Sequence, residues 1–132
     1  MDDLVQFLRA RLDEDEALAR EAPAGPWHIG NAVDPTQPCS VHMFPSVRLV
    51  ADGLNWLVAE HIARHDPARV LREIDAKRKI AEQHRPVGYG DVCLSYCHTR
   101  TPSQPQTWPC LTLRLLALPF TDRPGYREEW RP

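Results

Sequence analysis

The sequence predicts a small α+β protein, and three observations carry that prediction. A helical apolar stripe opens the chain, with Leu4, Leu8 and Leu12 four residues apart. Short segments of strand composition follow between residues 27 and 58, and a second helical stretch lies beyond them. Thirteen prolines, roughly twice the average share, break the 132 residues into short pieces and argue against a long bundle or a repeat array. The length is that of a single domain, 1–132, able to bury a modest core.

The first helix is expected from Asp2 to Ala22. Val5 lies beside the leucine stripe and Ala19 continues it, while Asp2 and Asp3 sit where a helix N-terminus favours negative charge. The run Asp13-Glu14-Asp15-Glu16 reads as a solvated face, because consecutive carboxylates on a helix point in different directions. Pro23, Gly25 and Pro26 stop the helix.

Between 27 and 58 the segments WHI, SVHMF, SVRLVA and NWLVA read as an antiparallel meander of three or four strands. Asp52-Gly53 is the strongest hairpin signal, since a two-residue turn with φ > 0 at both centres suits that dipeptide. His28, Cys39 and His42 fall here and read as packing or surface residues.

Helical character returns in WLVAEHIARH, and Asp66-Pro67 divides it from a new helix. Asp66 suits the N-cap and Pro67 the first helical position, so the central helix is expected over 67–83, with Val70, Leu71, Ile74 and Ala81 inward. Its Arg69, Arg72, Lys77, Arg78 and Lys79 form the densest positive run. Glu73, Asp75 and Glu82 interrupt that charge and no aromatic residue is interleaved, which favours a solvated face over a nucleic-acid surface. His61 and His65 are four apart, but Ile62 rather than a glutamate follows His61, so the pair lacks a metalloprotease signature, and His65 reads as a helix-end residue.

Residues 84–110, HRPVGYGDVCLSYCHTRTPSQPQTWPC, carry the chemistry. The segment is too rich in proline and glycine and too poor in large apolar groups to pack a core by itself. It holds Cys93, Cys97, Cys110, His84 and His98. A tetrahedral structural zinc ion needs four cysteine or histidine ligands, and His84, Cys93, Cys97 and Cys110 are the expected set. His98 in place of His84, or Cys39 joining the three cysteines, are the alternatives, the latter also suiting an iron–sulfur redox sensor. Two disulfides, or thiols without metal, are the remaining readings. A short apolar helix from Pro109, buried on all sides, follows and ends at Pro119; Cys110 is expected in its first turn. The tail TDRPGYREEWRP is expected to form a further helical turn or two capped by Asp122, with Trp130 and Tyr126 packing back.

The net charge of −2, from 16 basic and 18 acidic residues, offers no whole-chain attraction for phosphate or anionic lipid. Acidic residues stand where a secretory signal has basic ones and no apolar run reaches membrane-spanning length, so a cytoplasmic protein with reduced thiols is expected. No phosphate-binding glycine loop, nucleophile elbow or kinase motif is present; Gly88-Tyr89-Gly90 reads as a turn.

With these residues in view, the chain resembles a family of small uncharacterised proteins of actinobacteria and their phages. The likeness is carried by DDLVQFLRARLDEDE, Gly25-Pro26-Trp27, AEHIARHDPARVLREIDAKR, the loop 84–110, PCLTLRLLALPF and YREEWRP. Members of that family show a compact Cys-x-x-Cys and a Tyr-Pro-Cys approach, whereas here the spacing is Cys93-x-x-x-Cys97 and the approach is QTWPC. The hairpin followed by AEHIA is also similar to a module in phage accessory proteins, which implies a mobile-element context. The resulting expectation is a non-enzymatic, zinc-binding interaction module, regulatory or phage-related, with another protein as its partner. A DNA-associated regulator using the basic face 64–79 and a metal-dependent hydrolase with Asp91 as base are the rivals.

Overall fold

The computed structural model describes residues 3–30, 34–87, 92–93 and 108–132. Helix α1 spans Asp3–Glu21; strands β1 Trp27–Gly30, β2 Cys39–Met43 and β3 Leu49–Leu54 follow, then α2 Trp56–Arg64 and α3 Pro67–Gln83. A two-residue strand pair, β4 Pro86–Val87 and β5 Val92–Cys93, precedes α4 Leu111–Ala117 and two 3₁₀ turns, Leu118–Phe120 and Glu128–Trp130. This is an α+β fold. The chain divides into two compact units, one of residues 15–74 and one of 1–14 with 75–132. Among the described residues no helix is long and apolar enough to cross a membrane.

The unit of residues 15–74 is built on the antiparallel meander β1-β2-β3. Alternation sends Cys39 and Val41 to one face, where Ala59 of α2 completes a core flanked by Trp27, Ile29, Val50, Leu54, Ile62 and Ala63. On β1 and β2, His28 pairs with His42. The His42 ring is held by Nδ1–H donation to the Val47 carbonyl (3.1 Å) and by Ser40 Oγ at Nε2 (2.7 Å). The expectation that both histidines and Cys39 are packing or surface residues agrees with these positions: Cys39 is buried and the two histidines are half-buried.

Two expectations in this region are corrected. Asp52-Gly53 is not a hairpin turn but lies inside β3, where Cys39 pairs with Leu54 and Val41 with Ala51, so three steps on β3 face two on β2. The extra residue is a bulge, and Gly53 meets it with φ of 68°. A φ > 0 glycine serves either a tight turn or a bulge, and the cross-strand register decides between them. The β2–β3 reversal instead runs through Phe44–Arg48, closed by Met43 N–H to the Arg48 carbonyl at 2.8 Å. NWLVA is not a strand either: Asn55 Oδ1 accepts the Leu57 N–H at 2.9 Å and caps α2, whose Ala59, Ile62 and Ala63 face the core at helical spacing.

In the other unit, Leu4, Leu8 and Leu12 of α1 are buried, and Phe7 meets Phe120, Tyr126 and Trp130 with ring centroids 5.3–6.5 Å apart. Tail aromatics therefore do pack back on the chain. Their local turn is Glu128–Trp130, preceded by Arg127, so Asp122 does not cap it. Helix α4 also differs from expectation. It starts at Leu111 rather than Pro109, with Cys110 as the residue before it, and it is not buried all round. Leu113 is 0% exposed, Leu111 47% and Leu115 49%. All-round apolarity in a seven-residue helix does not imply all-round burial, because one face suffices to seat so short an element.

Candidate metal centre

Three chain segments bring ligand atoms together. The first is the end of α3. Proline at 86 prevents the helix from continuing, and the His84 N–H bifurcates to the carbonyls of Ile80 and Ala81, both at 3.2 Å. His84 thus directly follows the last turn of α3. The second segment is the β4–β5 pair, whose register sets Cys93 opposite Pro86 and so returns it to His84. The third is Cys110, whose extended backbone (φ −68°, ψ 160°) ends where α4 begins and whose carbonyl accepts the Arg114 N–H at 3.1 Å.

His84 Nδ1 lies 3.2 Å from Cys93 Sγ and 3.6 Å from Cys110 Sγ. The three ligand atoms all fall within 4.8 Å of one another. With metal–sulfur bonds of about 2.3 Å and metal–nitrogen bonds of about 2.05 Å, the edges of a tetrahedral zinc site are about 3.6 Å from N to S and about 3.8 Å from S to S. The observed spacings have that scale, so the group could hold a metal ion.

The surroundings suit such a role. Both sulfurs are buried and His84 is half-buried. Burial pushes the His84 imidazole below its ordinary pKa, a direction that favours the neutral ring a metal ion needs. Cys93, Cys110 and Cys39 are thiols rather than disulfide sulfurs. Cys39 is not in the cluster; its thiol donates to the Leu54 carbonyl at 3.3 Å within the sheet core. Of the four expected ligands, three converge. Cys97 lies outside the described residues, as do the alternative ligand His98, the rival reading's base Asp91 and the turn expected at Gly88-Tyr89-Gly90.

The basic run offered as a nucleic-acid face carries local counter-charges. Arg64 pairs with Glu60, Arg69 with Glu73, Lys79 with Asp75, and Arg78 with Asp13. Three of these are i,i+4 pairs along a helix, the ordinary pattern of a solvated surface.

Sequence reasoning also missed a role for Asp66 beyond its cap. Besides accepting the Arg69 N–H at 2.8 Å through Oδ1, it accepts the Trp27 N–H at 3.2 Å through Oδ2. Gly25 lies against the same carboxylate, with an added Cβ falling 2.8 Å from Oδ2. Gly25-Pro26-Trp27 was a visible signal without a visible partner.

Fold and cluster together define a small α+β protein with a candidate His/Cys metal centre. The chain belongs to DUF6221, a family of unknown function whose model matches residues 1–132. No curated protein and no solved structure matches the chain.

Proposed function

We propose that this protein is a non-enzymatic zinc-binding interaction module, in which a structural zinc ion held by His84, Cys93, Cys97 and Cys110 closes the loop 84–110. The observation that carries the reading is the convergence of His84 Nδ1, Cys93 Sγ and Cys110 Sγ within 4.8 Å. Two sulfurs and one imidazole are the donor chemistry that zinc prefers in structural sites, and Cys97 supplies the fourth donor of a closed tetrahedron. A closed tetrahedron has no position for an activated water, and the role left to the ion is to stabilise the fold. Thiolates serve as ligands in a reducing compartment, consistent with a cytoplasmic location. A partner protein is supported by large apolar side chains left in solvent: Phe44, Val47 and Leu49 around the β2–β3 hairpin, and Leu57 and Val58 on α2. The likeness to actinobacterial and phage proteins supports a regulatory or mobile-element setting.

The test is the metal content of protein purified without chelator, by elemental mass spectrometry, with thiols titrated before and after chelation. One equivalent of zinc, with thiols becoming reactive on its removal, is expected. Iron with a visible chromophore would make the protein a redox sensor instead, and metal-free protein with four reactive thiols would refute the reading.

A further inference from the structure

We infer that His61, in the last turn of α2, and His65, the residue that caps its C-terminus, form a second metal site, a two-imidazole chelate for a borderline divalent cation such as Ni²⁺, Cu²⁺ or Zn²⁺. The site does not depend on the loop centre. Four-residue spacing puts the two rings on one helical face, and the structure adds what spacing alone lacked. Their centroids are 4.3 Å apart and their planes 32° from parallel, so the two rings are in contact. Two imidazoles on one ion, each at about 2.05 Å, need their ligating nitrogens only about 3 Å apart.

The tautomer of His65 is set as well. Its Nδ1 lies 2.7 Å from the His61 carbonyl, which can only accept, so Nδ1 carries the proton and the lone pair stands on Nε2. A backbone carbonyl holding the far nitrogen is the usual outer-shell partner of a histidine ligand. Both rings are exposed and border an open hollow of about 340 Å³ lined also by Leu57, Glu60, Arg64 and Arg69.

The two guanidiniums beside the hollow do not leave it simply cationic. Arg64 is paired with Glu60, while Arg69 is paired with Glu73 at 2.7 Å and donates to the Arg64 carbonyl at 3.0 Å. The hollow lies at the C-terminal end of α2, where the last carbonyls of a helix favour positive charge. Water would complete the coordination.

The experiment is calorimetric titration of Ni²⁺ into tag-free protein carrying its native complement of metal, repeated on H61Q, H65Q and the double variant. Chelation makes the second imidazole's contribution intramolecular, so each single variant should weaken the site at least about tenfold. The double variant should be little worse than either single one. In the wild type alone, Ni²⁺ should raise the midpoint of thermal unfolding, because the ion ties the last turn of α2 to the residue that caps it. Unchanged Ni²⁺ affinity in H61Q and H65Q, or losses that simply add, would overturn the inference. Loss of Ni²⁺ binding only on substitution of Cys93 or Cys110 would also overturn it, and would place the ion at the loop.

Discussion

His84 Nδ1 stands 3.2 Å from Cys93 Sγ, nine residues away along the chain, because the β4–β5 register turns Cys93 back to face Pro86. Cys110 Sγ approaches the same nitrogen from the start of α4. Removal of any one of these groups should therefore abolish the common site. If the proposed zinc ion is there, H84A, C93S and C110S should each lose the metal equivalent read by elemental mass spectrometry. C39S should keep it, because Cys39 lies outside the cluster and a serine hydroxyl can still donate to the Leu54 carbonyl. Retention of zinc by C93S would dissociate the cluster from the metal.

Metal removal should loosen specific elements rather than the whole chain evenly. β4 and β5 are two residues each, too short to be stable without an additional tie. Hydrogen exchange is the readout. After chelation, amides of β5 and of the first turn of α4 should exchange at least about tenfold faster, a local opening easier by about 1.4 kcal/mol. Amides of β2 and β3 should change little. Uniform acceleration across the sheet would mean that the ion supports global stability instead.

Helix α4 offers a direct contrast between two leucines two residues apart. Leu113 is fully buried and Leu115 half in solvent. L113A should cost about 2–5 kcal/mol in urea unfolding, the range for emptying a core site. L115A should stay within about 0.5 kcal/mol. Equal losses would show that the exposed side of α4 is covered in solution.

These contrasts mark where the fold was legible and where it was not. Asp66-Pro67 located the start of α3 because both residues act locally, through a side-chain cap and a fixed φ. The leucine stripe of α1 was legible because periodicity reports burial over several turns. Asp52-Gly53 misled because its backbone preference does not distinguish a turn from a bulge. The inner face of α4 was hidden, since apolar residues occupy most of its sides. At the candidate centre, residue chemistry singled out His84, Cys93 and Cys110, but their convergence depends on the β4–β5 register, which no local signal encodes.

Asp66 gives a prediction of coupling between distant positions. Its carboxylate caps α3 through Arg69 N–H and holds Trp27 N–H, 39 residues back, with Gly25 pressed against it. D66A should cost about 2–3 kcal/mol, combining a lost cap with a stranded backbone donor. D66N should cost about 1 kcal/mol: the amide oxygen can still cap, but its NH₂ would face the Trp27 N–H, donor against donor. G25A should also destabilise, because its Cβ would fall 2.8 Å from the carboxylate carbon. In D66A that obstruction is gone, so adding G25A should cost less than it does in the wild type. A double-mutant cycle measured by urea unfolding reads this directly, with a coupling of about 1 kcal/mol expected between contacting sites. Strict additivity would show that Gly25 is required for the backbone path into β1, not for its closeness to Asp66.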